Sequence, residues 1–317
     1  MSAITIFGAI DQGLIFAILA LGLFITFRIL DLPDLTVDGS FVTGLAVSGM
    51  MCLQGHPFLG LFLSLLAGFI AGSVTGLLHT KLKINAILSG ILTMTALYSI
   101  NFRLMGLKPS IILYNKTTVF TFIDKNLMVN NFNLSKGLVI CVIIIILIFL
   151  LNSFLKTRLG LALRATGDNE SMMTANSVNT DFMKILAFAL CNSLVSLSGA
   201  IYIQYNQQSS YTVGTGMLVL SIASIIIGEA IFSRKTIFIN LISVVLGAVV
   251  YRIFIAFAFQ LGLAANDLKI FSAFIVIIAI SLSKMKLSVC KNFSPKVSMR
   301  KILLLRKSTK GKGVNYD

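Results

Sequence analysis

Nine apolar runs, most of them long enough to cross a bilayer, constrain the fold of this 317-residue chain more than any other feature. Hydrophobic residues make up 57% of the chain and charged residues only 12%, whereas soluble domains contain about a quarter charged residues. We therefore predict an all-α polytopic membrane protein with about nine transmembrane helices. Eight or ten spans remain open, because Ile29–Leu53 can form either one broken helix or a re-entrant pair. The runs are Ile4–Phe27, Phe41–Leu53, Phe58–Leu78, Ile84–Leu104, Gly137–Leu155, Ile185–Tyr202, Met217–Phe232, Ile237–Phe259 and Leu268–Leu282.

The distribution of basic residues predicts the orientation of these spans. Nineteen of the 26 Lys and Arg residues fall in segments that this topology places on one side, six fall on the other side, and Arg252 falls inside a span. Because cytoplasmic loops are enriched in Lys and Arg, we predict an N-terminus outside and a C-terminus in the cytoplasm. Residues 1–283 then form the transmembrane domain, and residues 284–317 form a basic cytoplasmic tail that we expect to be disordered and in contact with anionic lipid.

The segment Lys156–Lys184 is a polar, basic loop between two spans, and we predict that it lies in the cytoplasm. Gly167 is expected to break the chain and Asp168 to cap a short helix that ends near Asn176. Glu170 then lies in the first turn, opposite the positive end of the helix dipole. Methionine side chains exposed on such a helix suit a groove on another protein. An ordered loop without a partner fits the same helix signals equally well.

An unusual stretch, Ile29–Ser40, places three acids, a proline and a glycine beside apolar sequence. Acids at a membrane boundary are costly unless they are hydrated or paired. Pro33 and Gly39 allow a broken helix whose free backbone groups face a cavity. The segment either lines the inner part of a pathway or is an ordinary solvated loop; a magnesium site built from its acids is less favoured. The candidate pathway residues here are Asp34, Thr36 and Asp38.

The third and fourth runs carry two further patterns. Small residues in the third run predict close packing against another helix; they are Gly68, Ala71, Gly72, Ser73 and Gly76. In the fourth run, polar residues at intervals of four share one helix face, which indicates either a pore-facing stripe or hydrogen bonding between helices. These stripe residues are Asn85, Ser89 and Thr93. The uncharged polar run Gln204–Gly216 is predicted to lie at the outer mouth.

No pattern in the chain indicates catalysis, a metal site or a cofactor. The four cysteines lack CxxC spacing and are predicted to be free. The tail segment Ser308–Gly313 lacks the spacing and the preceding strand of a phosphate-binding loop. The basic charge concentrates after the last span, so we expect no nucleic-acid partner. Glu229 and Arg252 either pair, line a path or, more commonly for such residues, snorkel towards the membrane surface.

Three stretches resemble the permease subunits of ATP-binding cassette (ABC) importers of the branched-chain amino acid/ribose-type family, above all those of tryptophan/tyrosine-type uptake systems. They are Gly13–Phe41, Ile84–Gly106 and Thr157–Met172, and the likeness runs from about Gly8 to Ser283. The resemblance implies a type II-like importer permease fold in the bacterial inner membrane. It also implies a second permease copy, an ATPase subunit in the cytoplasm and an extracytoplasmic solute-binding protein.

The resemblance further implies that the loop around Asp168–Asn176 is the coupling helix that contacts the ATPase. The candidate coupling residues are Arg164, Gly167, Asp168, Asn169, Glu170, Met172 and Met173. We expect the chain to form the translocation pathway for a small solute, and a pathway without strong charge fits an amino acid or similar zwitterion. An ion-coupled secondary transporter, which needs acids near the midplane, and a membrane enzyme are the alternatives.

Overall fold

The computed structural model describes residues 3–122, 132–232, 236–260, 270 and 272–277. These residues form ten α-helices: Ala3–Leu23 (α1), Val37–Leu53 (α2), Pro57–Thr80 (α3), Ala86–Leu104 (α4), Phe132–Lys156 (α5), Arg158–Asp168 (α6), Glu170–Ala175 (α7), Thr180–Asn206 (α8), Met217–Ile231 (α9) and Ile237–Gln260 (α10). A π-helix, Phe24–Ile29, extends α1, and a 3₁₀ turn, Tyr211–Gly214, precedes α9. There are two short strands, Ser110–Ile112 (β1) and Gln208–Ser210 (β2), and residues 119–122, 270 and 272–277 are also helical.

Seven described stretches are long and apolar enough to cross a membrane, which confirms a multi-pass membrane protein. They are Thr5–Ile29, Pro57–Thr80, Ala86–Leu104, Lys136–Lys156, Thr180–Asn206, Tyr211–Ile231 and Ile237–Gln260. Helix α2, in the second predicted span, has 17 residues and is shorter than these. Most of the predicted span Leu268–Leu282 and all of the basic tail 284–317 lie outside the described residues. The expected count of nine spans therefore stays a prediction.

Helix α8 lies at the centre of the bundle and packs against α1, α2 and α3. Its contact with α3 is close because α3 presents glycines at this surface. A Cβ added at Gly72 would meet the Phe188 carbonyl, and one added at Gly76 would lie 2.7 Å from the Ile185 Cα. Glycine lets two backbones approach where any side chain would hold them apart. The predicted close packing of the small residues in the third run is confirmed.

The bundle has two distinct ends. At one end, which we name the loop end, α6 and α7 lie beside the ends of several membrane helices. Lys81 pairs with Asp181 at this end, at 3.3 Å. At the opposite end, named the strand end, β1 pairs antiparallel with β2, and Ser110 faces Ser210. There the Gln204 Nε2 donates to the Pro57 carbonyl at 3.1 Å. Gln204 is buried, so only part of the polar run that begins with it lies at the surface.

Candidate functional site

A break in the backbone between α1 and α2 is the most unusual feature inside the bundle. The π-helix ends at Ile29, and helical structure resumes only near Val37. Asp34 and Thr36, between these two points, are 0% exposed. Irregular backbone at membrane depth is tolerated where protein surrounds it. The alternative of an ordinary solvated loop is wrong for these two residues.

Asp34 fastens the break to the centre of the bundle. Its Oδ1 accepts a hydrogen bond from the Thr36 backbone N–H at 2.9 Å, and its Oδ2 accepts one from the Asn192 Nδ2 at 2.7 Å. Asn192 lies near the middle of α8. The hydroxyl of Thr36 also shares a hydrogen bond of 2.9 Å with the hydroxyl of Thr75 on α3. The break is therefore held to two neighbouring helices by buried polar contacts.

Asp38 caps a helix that lies far away in the sequence. Its two carboxylate oxygens accept hydrogen bonds of 2.9 Å from the backbone N–H groups of Gly216 and Leu218, at the start of α9. A carboxylate at this position satisfies free N–H groups and lies at the positive end of the helix dipole. Gly216, at φ 91°, has a backbone conformation that favours glycine. Helices α2 and α9 thus begin side by side and run to opposite ends of the bundle.

The long-range pairings of these acids were not predicted from the sequence, and neither Asn192 nor Leu218 was among the candidate residues. Asn192 gives the clearest signal that could have identified one, because an amide within an apolar run needs a buried partner. Nothing in the spacing links Asp38 to Gly216, since 178 residues separate them. The three acids of the stretch do not converge on a metal site, and no group of three potential metal ligands occurs in the described part of the chain.

Three buried polar atoms beside the break have no hydrogen-bond partner among the described residues. They are the Ser40 Oγ, the Asn101 Oδ1 and the Asn192 Oδ1. Ser40 follows the break in the chain, and Asn101 approaches it from α4, where its Nδ2 donates to the Gly39 carbonyl at 3.0 Å. Acceptor groups therefore remain available next to the break.

The predicted stripe on α4 divides into a cap and two buried hydroxyls. Asn85 caps α4, since its side chain accepts a hydrogen bond of 3.0 Å from the Ile87 backbone N–H. Ser89 and Thr93 are 0% and 4% exposed, and their hydroxyls donate to carbonyls of α4 itself. Their roles as pathway residues stay predictions. The exposed side of α4 carries Tyr98 instead.

At the loop end, Asn169 rather than Asp168 caps the short helix α7. The Asn169 side chain accepts a hydrogen bond of 3.0 Å from the Met172 backbone N–H, and its φ of −158° places it outside the helix. Asp168 is still the last residue of α6. The predicted cap was wrong because the preceding helix continues one residue further than expected.

Gly167 does not break the chain, which corrects the prediction, but it decides where α6 lies. A Cβ at this position would collide with the carbonyl oxygen of Ile29 and lie 3.0 Å from the Leu30 Cα. The absence of a side chain lets α6 lie directly on the π-helix, immediately before the break. The loop and the break are thus in backbone contact.

The remaining residues of the loop differ in exposure. Met172 is 54% exposed, but Met173 is 8% exposed, so the expectation that both are available to a partner is wrong for Met173. Glu170 pairs with Lys184 at 2.5 Å. Arg164 and Asp168 line a cavity of about 220 Å³ between α6, the π-helix and the start of α10.

Two charged residues within the spans have separate partners. Glu229, near the end of α9, forms an ion pair of 2.7 Å with Arg28. Arg252, on α10, donates to the side chain of Gln12 at the strand end. The pairing of Glu229 with Arg252 considered from the sequence is therefore wrong. Cys52, Cys141 and Cys191 are free, as predicted.

Apolar helices that span the membrane and enclose a buried helix break are typical of membrane transport proteins. The family model of the branched-chain amino acid transport system permease component matches residues 5–281, and the chain belongs to this family.

Similar proteins cover most of the chain. The tyrosine transport system permease protein of Clostridioides difficile is 36% identical over 303 residues, which is 94% of this chain and 99% of that protein. The uncharacterized protein RP368 of Rickettsia prowazekii is 30% identical over 86% of this chain and 95% of its own length. The ribose import permease protein RbsC of Escherichia coli K12 is 24% identical over 70% of this chain and 68% of its own length. No solved structure matches the chain significantly.

Proposed function

We propose that this chain is the membrane-spanning permease subunit of an ABC importer and forms the pathway for an amino acid across the bacterial inner membrane. A separate subunit hydrolyses ATP on the cytoplasmic side, a second copy of the chain completes the pathway, and an extracytoplasmic binding protein delivers the solute. The observation that carries this proposal is the contact of Gly167 with the Ile29 carbonyl, because it joins a surface loop to the break inside the bundle.

In this proposal, α6 and α7 form the coupling element. Met172, the exposed methionine, fits a groove on the ATPase, and Arg164 and Glu170 flank it on the same loop. A movement of the ATPase would shift α6. Because no side chain separates Gly167 from Ile29, that shift would pass to the π-helix and then to residues 30–36. Single π-helical turns within α-helices occur frequently at functional sites.

The break is the moving part of the proposed pathway. Asp34, Thr36 and Asp38 hold it in the arrangement described above, and its release would uncover Ser89 and Thr93 on α4. On the exposed side of α4, Tyr98 meets Tyr211 edge-on, with ring centroids 4.7 Å apart. These two rings offer a surface for an apolar or aromatic part of the solute.

The unpartnered acceptors near the break support an amino acid as the solute class. An ammonium group carries only donors, which match the Ser40 Oγ and the two Asn Oδ1 atoms. The tyrosine transport permease relative, similar over nearly the whole chain, supports the same class. Secondary transport is less favoured, because Asp11, Asp34 and Asp38 each accept hydrogen bonds from protein groups.

The proposed orientation places the loop end in the cytoplasm. A cysteine-free variant with Ser171→Cys at the loop end or Thr212→Cys at the strand end tests it, since both residues are exposed. An impermeant thiol reagent added outside intact cells should label only Thr212→Cys. Ser209, in the same polar run, is 7% exposed and is a poor site for labelling. If the reagent labels only Ser171→Cys from outside, the loop end lies outside the cell and the proposed orientation is wrong.

Reconstitution tests the function directly. The chain is purified with the proposed partner ATPase and binding protein, and uptake of labelled tyrosine and of other amino acids is measured in proteoliposomes. Uptake should require ATP, the ATPase and the binding protein, while the chain alone should neither hydrolyse ATP nor move solute. Uptake by the chain alone, driven by an ion gradient, would overturn the importer proposal.

A further inference from the structure

A cleft between α1 and α10 at the strand end has no role in the proposed transport cycle. It encloses about 450 Å³. The two helices touch below it, where a Cβ added at Gly13 would lie 2.8 Å from the Val249 Cα. Above that contact they separate, and a Cβ at Gly8 would meet nothing within 4 Å. The residues that matter for its chemistry are Thr5, Gln12, Arg252, Ile255, Ala256 and Phe259.

The floor of the cleft holds a positive charge. The Arg252 Nε donates to the Gln12 Oε1 at 3.0 Å, and the Nη2 donates to the same oxygen. The guanidinium also lies 4.9 Å from the centroid of the Phe16 ring. Gln12 and Phe16 therefore hold the cation in place, but both are neutral. Within the residues that the structure describes, no carboxylate pairs with Arg252.

This arrangement leaves a positive charge and several donors facing the cleft. A guanidinium has five N–H donors in a fixed fork, which matches the oxygens of a phosphate or a carboxylate. A charge within a membrane span is costly without a partner of opposite sign. Among the described residues, the cleft therefore has a fixed cation and no anion to pair with it.

The position and walls of the cleft indicate what carries that anion. Arg252 precedes Gln260, the last residue of α10, by eight residues, so it lies about 12 Å below the helix end. Ile255 and Phe259 give the cleft apolar walls, and exposed Thr5 and Gln260 stand at its mouth. An anion that enters between two membrane helices, against apolar walls, is best supplied by a molecule that is itself part of the bilayer.

We propose that the cleft between α1 and α10 binds the anionic headgroup of a membrane phospholipid, with Arg252 as the charge partner of its phosphate. Gln12 and Phe16 orient the guanidinium, while Ile255 and Phe259 contact the upper part of the acyl chains. This site is separate from the break and the coupling loop.

Native mass spectrometry of the full-length chain in detergent tests the proposal. The protein is delipidated and then titrated with palmitoyl-oleoyl phosphatidylglycerol or the zwitterionic phosphatidylcholine with the same chains. Loss of one charge-assisted contact should weaken phosphatidylglycerol binding about tenfold in Arg252→Gln, whereas Arg252→Lys should retain most of it. Ala256→Phe, which fills the cleft and keeps the guanidinium, should weaken binding similarly. Arg103→Gln, which removes an exposed arginine near the same end, is the matched control and should bind as the unaltered chain does.

The competing outcomes are distinguishable. Equal binding of the two lipids, or unchanged binding in Ala256→Phe, would overturn the proposal. Displacement of phosphatidylglycerol by millimolar inorganic phosphate or glycerol phosphate would identify a site for free anions instead. Displacement by the transported amino acid would make the cleft part of the pathway and would also overturn the lipid assignment. If Arg252→Gln does not fold, Ala256→Phe and the displacement experiments still decide.

Discussion

The helix break and the loop formed by α6 and α7 are both rich in polar residues, but the polar residues are buried in the first and exposed in the second. In the break, Asp34 and Thr36 are fully buried and bonded to neighbouring helices. In the loop, Glu170 and Met172 are exposed, and the ion pair of Glu170 lies at the surface. Polar groups that are buried and satisfied fix one arrangement of a bundle. Exposed groups leave a surface for a partner, and the contact at Gly167 is where the two regions meet.

The largest effect is expected from removal of the carboxylate that fastens the break. Asp34→Leu leaves the Thr36 backbone N–H and one N–H of the Asn192 amide without an acceptor, while the amide keeps its bond to the Phe188 carbonyl. We expect the free energy of unfolding to fall by about 3 kcal/mol, because each orphaned buried donor costs about 1–3 kcal/mol. Thermal unfolding in detergent provides the measurement.

Two controls accompany this variant. Asp31→Asn changes an exposed acid of the same segment and should leave stability unchanged. Asp34→Leu combined with Asn192→Leu should cost less than the sum of the single changes, since the pair is removed together. Full additivity would show that Asp34 does not act through Asn192.

Gly167→Ala tests the junction between the two regions. The new methyl group collides with the Ile29 carbonyl, so α6 must move away from the π-helix. Overpacking of this kind costs about 1–3 kcal/mol, and we expect solute uptake to fall more than ATP hydrolysis does in the assembled complex. Ala175→Ser, which adds one atom to an exposed residue of α7, is the control. Normal uptake by Gly167→Ala would rule out transmission through this contact.

Variants of the two methionines distinguish a role in folding of the loop from a role in docking to the ATPase. Met173→Ala should destabilise the chain by about 2 kcal/mol, because it empties a buried site. Met172→Ala should leave unfolding unchanged but weaken co-purification of the ATPase, with a loss of about 2 kcal/mol in binding free energy if it is an anchor. Equal effects of the two variants on both readouts would contradict the assignment.

The cap of α7 gives a smaller effect. Asn169→Ala should cost about 1 kcal/mol of local helix stability, whereas Asp168→Ala should cost little. Hydrogen exchange of the amides of Ser171–Ala175 measures this local opening. Faster exchange in Asp168→Ala than in Asn169→Ala would restore the cap that the sequence predicted.

The smallest effect is expected for a surface ion pair. Lys81 and Asp181 meet at 3.3 Å, but their side chains are 62% and 41% exposed. Such pairs contribute about 0–1 kcal/mol, and salt screens them. The unfolding temperature of Lys81→Gln should therefore lie within about 2 °C of that of the unaltered chain, and this difference should be smaller in high salt. A larger shift would mean that the loop end contributes more to stability than its exposure indicates.

The sequence predicted the membrane spans, the close packing of the third run and the family, because these follow from apolar runs, small residues and contiguous motifs. It also identified the correct segment for the break. It did not predict the partners of Asp34 and Asp38, which lie 158 and 178 residues away and are selected only when the helices pack. The contact of α6 with Ile29 likewise arises from packing, and no local pattern encodes it. Asn169 caps α7 in place of Asp168 because α6 continues one residue further than its local signals predict.

The long-range cap of α9 has a consequence for biosynthesis. Asp38 leaves the ribosome 180 residues before Leu218, from whose backbone N–H it accepts a hydrogen bond. A carboxylate without a partner is costly in hydrocarbon, so the segment around Asp38 must stay hydrated while the intervening helices are inserted. It can settle into the bundle only once α9 has arrived. The segment around Asp38 is therefore synthesised early but packs into the bundle late. Nascent chains that stop short of α9 should expose this segment to the quality-control proteases of the membrane.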